Sequence, residues 1–436
     1  VRFSQENIDF QAITTDSRKV RPGSFFIAIA GDSMDGHQFI PQAIQSGATT
    51  ILGQSDRLTD SIKKQIPSSV KLFEVESSIT AIREISKIYR DRFSIPVIAI
   101  VGAVGKTTTK ELLASLLRGK YSSVLQTEGS QNGFLGIPLT LLQLRPDTQI
   151  AVIEIGIDEI GAMDQHMELV NPTHVILTAN GPEHLHQLKT VEIAATEELK
   201  AFDFALKNNK KIAINLSDAF VQNWFQQNKS QLKTEQFLTY SSEALKAPST
   251  ELRGLTSPLP GLHHAHNLLA AITVAQFFDL TDSELKNGLS TFKTAFGRTE
   301  IHHLKNGTQI IADYYNSNPT SATAALQLLS DQNRTTGKRI AVLGDMLELG
   351  EQEELFHCSL APVLEKLKID SVLLYGPRMK WLEQQLKKTN LIPTEHFESH
   401  EQIAAALKPI LTAHDSVLIK GSRGMKMEKL FALLQS

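Results

Sequence analysis

Between Val97 and Leu113 the chain reads VIAIVGAVGKTTTKELL: an apolar run, then a turn of Gly102, Ala103, Val104 and Gly105. Lys106, Thr107 and Thr108 follow, leading into a stretch whose Leu112, Leu113, Leu116 and Leu117 share one helical face. Amide N–H groups of such a turn, and of the helix behind it, converge on phosphate oxygens. A lysine in that place neutralises β/γ-phosphate charge, and a threonine hydroxyl beside it can ligate Mg2+. These residue types therefore suggest chemistry on a nucleoside triphosphate. The spacing departs from the usual phosphate loop, because Gly102 precedes Gly105 by three positions and Ile100 stands where a first glycine is expected. A plain strand-to-helix turn with an exposed lysine would use the same residues.

Glu154 lies inside the apolar run AVIEIG, where an ionised carboxylate is costly unless a cation or donor compensates it. A metal ligand fits there, and so does an ion-paired structural residue. His184 and His186, in GPEHLH, follow a run ending at Thr178, on the edge where α/β sheets place ligands; either could equally be a surface histidine. Three polar segments follow expected strands further on: DYYNSNPTS from Asp313, GDMLELG from Gly344 and KGSRGMKME from Lys420. Three such loops on one edge of a sheet point to a substrate cleft.

Positioning these groups takes several elements, and 436 residues correspond to about three domains. Residues 1–92 form a first α/β module, with turns at Arg21-Pro22-Gly23, Ala30-Gly31-Asp32 and Asp35-Gly36. In residues 93–298 the segments 151–155, 174–178 and 212–215 are short, nearly continuous apolar runs, as in a parallel sheet buried on both faces. The polar stretch 222–252 reads as a peripheral excursion. Residues 299–436 alternate again, with strands at 309–312, 339–343, 371–374 and 416–419, a second doubly wound unit. The expected class is α/β throughout.

Lys plus Arg number 44 against 47 Asp plus Glu, a formal charge of -3, so no basic surplus recommends nucleic acid as a partner. No run approaches about 18 apolar residues, and the N-terminal residues lack an apolar core with a cleavage site. A cytoplasmic protein without membrane insertion is expected. The one cysteine, Cys358, excludes an intramolecular disulfide and any cysteine-cluster metal site.

Taken together, the motifs resemble the Mur ligase superfamily and, within it, the branch that adds D-alanyl-D-alanine. The resemblance is carried by Asp16-Ser17-Arg18, Pro22-Gly23 and Asp35-Gly36-His37, by residues 102–109, and by Asn316-Ser317-Asn318-Pro319, residues 343–350 and Lys420-Gly421-Ser422-Arg423. The Asp-Asn-Pro-Arg motif of the diaminopimelate-adding relative is absent. The resemblance implies a small N-terminal UDP-substrate domain, a central P-loop ATPase domain with a parallel sheet, and a C-terminal Rossmann-like domain. It implies a monomeric, ATP- and Mg2+-dependent ligase that joins D-Ala-D-Ala to UDP-N-acetylmuramoyl-tripeptide through an acyl phosphate, in peptidoglycan precursor synthesis. Carried over by position, Lys106 and the loop Gly102, Ala103, Val104, Gly105, Thr107 and Thr108 would hold the phosphates. Thr107, Glu154 and His184 would hold magnesium, with Lys106, Glu154 and His184 as the catalytic set. Asn267 would lie on the adenine side, Arg298 and Asp313 would reach the nucleotide from the domain junction, and Asp16, Ser17 and Arg18 would face the UDP-sugar.

Several positions depart from the family pattern. Val104, Ser130, Gly133 and His264 stand where asparagines are usual. The family carbamylates a lysine to support a magnesium ion; counting from His184 without gaps places Glu198 there, with Lys200 where a glutamate is usual. Either Glu198 supplies that negative charge directly, or the register slips and Lys200 is carbamylated, or both are solvated helix charges. Another superfamily ligase, diaminopimelate-adding or of the folylpolyglutamate type, and a nucleotide-binding protein that has lost ligation are the alternatives.

Overall fold

The computed structural model describes residues 9–31, 34–245, 252–332 and 337–435. Residues 1–8, part of the N-terminal stretch expected to lack a leader, lie outside them.

The first sheet is parallel, β1 (Ile13–Thr14), β2 (Phe25–Ile27), β3 (Thr50–Gln54) and β4 (Lys71–Val75) lying side by side in chain order. Its helix Ser78–Arg90 is capped by the Ser77 side chain and buries Ala81, Ile82, Ile85 and Tyr89, one face at helical spacing. The other face carries Arg83, Lys87 and Arg90. They donate to the carbonyls of Gln165, Glu168, Val170 and Asn171, at the C-terminal end of the helix Ala162–Val170. Cations at a helix C-terminus meet its unpaired carbonyls and the negative end of its dipole, which ties this domain to the next.

The central sheet contains β5 (Val97–Val101), β6 (Val124–Gln126), β7 (Ile150–Glu154), β8 (His174–Leu177), β9 (Lys211–Asn215) and β10 (Phe237–Tyr240). Its order is β10-β9-β8-β5-β7-β6, all parallel. Every residue of β5 is buried: Ile98 and Ile100 pack toward the leucines of the helix Lys106–Leu117, while Val97, Ala99 and Val101 face the opposite layer around Phe202. The strand order reverses beside β5, which opens a crevice at the carboxyl ends of β5, β7 and β8. The stretch 222–252 is not wholly peripheral, since Trp224 is buried and β10 forms an edge of this sheet. Phe237-Leu238-Thr239-Tyr240 is a short β-prone run flanked by Gln, Lys and Ser, and pairing with β9 makes it a strand.

The last sheet joins β11 (Glu300–His303), β12 (Gln309–Asp313), β13 (Arg339–Gly344), β14 (Ser371–Tyr375), β15 (Thr394–Phe397) and β16 (Ser416–Lys420). The order is β11-β12-β16-β13-β14-β15, with β11 antiparallel and the others parallel. Because β12, β16 and β13 are adjacent, the three polar segments after them emerge together on one edge. Among the described residues no helix is long and apolar enough to cross a membrane. Cys358 is half-buried, its Sγ 3.7 Å from the Trp381 carbonyl oxygen.

Candidate active site at the junction of the second and third domains

After β5 the chain turns through Gly102 (φ 115°) and Gly105 (φ 89°) into the helix Lys106–Leu117. A Cβ on Gly102 would stand 2.6 Å from Thr178 Oγ1, and one on Gly105 2.6 Å from Asn267 Oδ1, so both positions require glycine. The amides of Ala103 and Val104 donate to the Ala179 carbonyl, which leaves the first-turn amides of the helix as the orphan donors for an anion.

Lys106 is buried. Its Nζ lies 3.0 Å from Glu183 Oε2 and also donates to the Gly102 carbonyl. Burial alone would lower its pKa, but the charges of Glu183, Glu198 and Glu154 hold it above the ordinary lysine value. Thr107 Oγ1 lies 3.1 Å from both Ser130 Oγ and Glu154 Oε1, and Asn132 Nδ2 donates to the same Glu154 oxygen at 2.7 Å. Glu154 Oε2 accepts no hydrogen bond; the buried Lys110 ammonium stands 3.6 Å away. Glu154 is thus an ion-paired carboxylate, Oε2 facing the ammonium while Oε1 meets Thr107 and Asn132. The Glu154 carboxylate beside the Thr107 hydroxyl fits a hard cation, and Mg2+ characteristically keeps waters and phosphate oxygens as its other ligands. Among the described residues no group of three or more His, Cys, Asp or Glu is preassembled for a metal.

His184 takes a left-handed backbone conformation (φ 52°), and its Nδ1 lies 2.6 Å from Glu348 Oε2, a partner from the third domain. Burial lowers its pKa, yet the hydrogen bond to Glu348 and the charges of Glu183 and Glu348 leave it raised. Glu198 is buried, accepts the Gly102 amide at 2.8 Å, and is pushed up to about 7 by burial against the pull of Lys106. Lys200 instead pairs with Asp164 at 2.9 Å and Glu197 at 2.8 Å, away from the loop.

The domain junction, the third domain and the start of the helix Leu262–Gln276 contribute the facing wall. Arg298 Nη2 stands 3.4 Å from Thr107 Oγ1, and its guanidinium covers the Tyr315 ring at 4.5 Å. Asp313 accepts from Lys420 Nζ at 2.7 Å; burial would raise the carboxyl, but Lys420 holds it below the usual range. Asn316 Nδ2 lies 3.4 Å from Glu183 Oε1. His263 and His264 pack ring on ring at 3.9 Å. Burial drives His263 down to about 4, and both ring nitrogens of His264 lack partners.

These walls enclose a cavity of about 450 Å³. Every nucleotide-side residue singled out from the sequence lines it except Gly102, which lies beneath the loop, and Glu198, which lines a smaller pocket beside it with Glu183 and His184. Asp16, Ser17 and Arg18 stand apart from the cavity. Asp16 pairs with the exposed Arg18 at 2.9 Å, and Ser17 Oγ donates to Gln42 Oε1 at 3.2 Å. Sequence reasoning passed over Glu183, Asn132 and Lys110. Lys110 falls one helical turn after Lys106 and is fully buried, a signal visible in the spacing; Glu183 was adjacent to a chosen histidine.

Comparison with known proteins places this geometry. Residues 9–121 match the Mur ligase family catalytic domain, residues 100–275 the Mur ligase middle domain, and residues 297–423 the Mur ligase glutamate ligase domain. The chain is 31% identical to UDP-N-acetylmuramoyl-tripeptide--D-alanyl-D-alanine ligase of Bacillus subtilis, over 98% of this chain and 93% of the relative. It is 33% identical to the enzyme of that name from Synechocystis, over 96% and 91%. Among solved structures, MurF from Acinetobacter baumannii superposes with a TM-score of 0.83 at 27% identity, covering 97% of this chain and 93% of that one. MurF ligase from Thermotoga maritima in complex with ADP superposes at 0.80 with 26% identity and 98% coverage of each chain. By near-complete coverage at this identity, and by the three successive domains, the chain belongs to the Mur ligase family.

Proposed function

We infer that this protein is an ATP-dependent amide ligase that joins D-Ala-D-Ala to UDP-N-acetylmuramoyl-tripeptide in peptidoglycan precursor synthesis. The observation that carries this is the cavity in which Lys106 and Thr107 of the phosphate loop meet Arg298 at the domain junction and Asp313 and Lys420 of the third domain. The names of full-length relatives supply the substrates.

A carboxylate is a poor electrophile, so the terminal carboxylate of the tripeptide first attacks the γ-phosphorus of ATP, and ADP leaves. The amine of the dipeptide then attacks the acyl carbon, and inorganic phosphate leaves. Such chemistry is mostly positioning and charge neutralisation. Lys106 and the first-turn amides would hold the phosphates, with Arg298 reaching them from the domain junction. Thr107 and Glu154, with His184 and Glu198 nearby, would hold Mg2+, which supplies charge neutralisation at the transferred phosphoryl group. Asn267, beside Gly105, would face the nucleoside. Asp16, Ser17 and Arg18, off the cavity on the first domain, would meet the UDP-sugar. We divide the roles at residues 1–92 for the UDP-sugar, 93–298 for ATP and 299–436 for closure over the ligands, and we place the protein in the cytoplasm, where UDP-linked precursors and ATP are found together.

An ADP-release assay tests this. A ligase releases ADP and phosphate in step with amide formation only when ATP, the UDP-tripeptide and D-Ala-D-Ala are all present. Nucleotide binding without turnover dependent on both substrates would identify a protein that has lost ligation, and preference for a free amino acid over the dipeptide would identify another branch of the family.

A further inference from the structure

Lys106 stands in the field of three carboxylates, Glu183, Glu198 and Glu154, and they are not equivalent. Glu154 has the buried Lys110 ammonium beside it, and Glu198 accepts the Gly102 amide. For Glu183, the one ion pair among the described residues is with Lys106, at 3.0 Å between side chains that are 16% and 9% exposed. The rest of the ammonium's hold is the Gly102 carbonyl, within its own loop. A nucleotide's terminal phosphates would approach the same ammonium, and a carboxylate this close must either lose it or repel them. The other oxygen of Glu183 faces Asn316 of the third domain, and the next residue, His184, is gripped by Glu348 of that domain. The Lys106 to Glu183 pair therefore sits where the phosphate loop and the third domain meet.

We propose that Glu183 is a positioning residue that acts through Lys106: it holds the ammonium while the phosphate site is empty and exchanges it for the nucleotide's phosphates on binding. This rests on Lys106 being the phosphate-binding lysine. The exchange keeps a buried ammonium compensated at every stage, which an unpaired buried charge would not be. It also sets nucleotide affinity below what the loop alone would give, because binding must first break a close ion pair. Glu183 is a competitor of phosphate in this scheme, in contrast to a carboxylate that ligates a nucleotide-bound cation.

The two roles separate in a binding titration of the full chain with ADP, run once in EDTA and once in Mg2+. With Glu183→Gln, ADP should bind at least about fivefold more tightly in EDTA, the lower end of ordinary coupling between sites, and more tightly in Mg2+ as well. Glu183→Ala should move the same way, and Glu183→Asp, which keeps the charge, should stay near the parent. The KM for ATP should fall in Glu183→Gln, a change that loss of packing alone would not produce. Unchanged or weaker binding in EDTA would overturn the exchange, and weakening confined to Mg2+ would make Glu183 a cation ligand instead. Failure of the underlying assignment looks different: Lys106→Ala would then bind ADP as tightly as the parent protein.

Discussion

The Arg298 guanidinium stands 3.4 Å from the Thr107 hydroxyl, although the two residues are 191 positions apart in the sequence. The contact joins the junction before the third domain to the first turn of the phosphate-loop helix, and Arg298 Nε has no hydrogen-bond partner of its own. An arginine so placed has donors to spare for an anion bound at that turn. Arg298→Ala should weaken ADP binding by about tenfold or more, since hydrogen bonds to charged groups contribute about 1.5–3 kcal/mol. Arg298→Lys should recover only part of the loss, because a lysine lacks the planar fork. Titration calorimetry reads both, and ADP affinity equal to that of the parent in Arg298→Ala would remove Arg298 from the nucleotide site.

Lys106→Ala should abolish turnover while affinity for the UDP-substrate stays nearly intact, because Asp16, Ser17 and Arg18 lie off the cavity that Lys106 lines. Retention of more than about a tenth of the parent rate, a difference of about 1.4 kcal/mol, would contradict the phosphate role.

The pair between His184 and Glu348, 2.6 Å apart, spans the domain junction with Glu348 on the exposed side. Exposed pairs contribute only about 0–1 kcal/mol, so Glu348→Gln should shift the balance between open and closed arrangements without abolishing closure. Small-angle scattering should show a larger radius of gyration for the ligand-free variant, and ATP analogue plus UDP-substrate should restore the compact profile. Identical profiles for parent and variant, with and without ligands, would count against a mobile third domain.

His166 is fully buried beneath Phe134, and its Nδ1 lies 3.3 Å from the Arg83 guanidinium. Burial, aided by the Arg83 charge, pushes its pKa down from 6.5 to about 3. The folded protein therefore keeps this ring neutral while the unfolded chain protonates it below pH 6.5, so stability falls as pH drops from 6.5 toward 3 and is unaffected above that range. The slope from this one group is about 1.4 kcal/mol per pH unit. Urea unfolding at pH 7.5, 6 and 5 should show a shallower acid loss in His166→Gln, by about one proton's worth; equal slopes would place the acid sensitivity elsewhere.

Glu198, rather than Lys200, lies under the phosphate loop, where its carboxylate in the ionised form would supply a negative charge without a carbamate. Turnover should be the same in carbon-dioxide-depleted buffer and in added bicarbonate, and Glu198→Gln should raise the Mg2+ concentration required for half-maximal rate. Stimulation by bicarbonate, or rescue of Lys200→Ala by a short-chain carboxylate, would instead favour Lys200.

The sequence by itself determined the strands that fill the sheets, because a strand buried on both faces must be apolar along its whole length, as β5 and most of β13 are. It also determined where loops had to leave those strands: Gly102 and Gly105 mark the turn, and the polar segments from Asp313, Gly344 and Lys420 mark one sheet edge. The edge strand β10, Phe237-Leu238-Thr239-Tyr240, was hidden by the polar residues on either side of it and not by its own composition. Compensation of charge was hidden as well. Whether Glu154 is paired, whether Glu198 or Lys200 turns inward, and which carboxylate holds Lys106 depend on side chains brought from 44, 96 and 77 positions away. Pattern along a chain reports which residues leave water, whereas the tertiary structure alone decides which charges meet once they have left it.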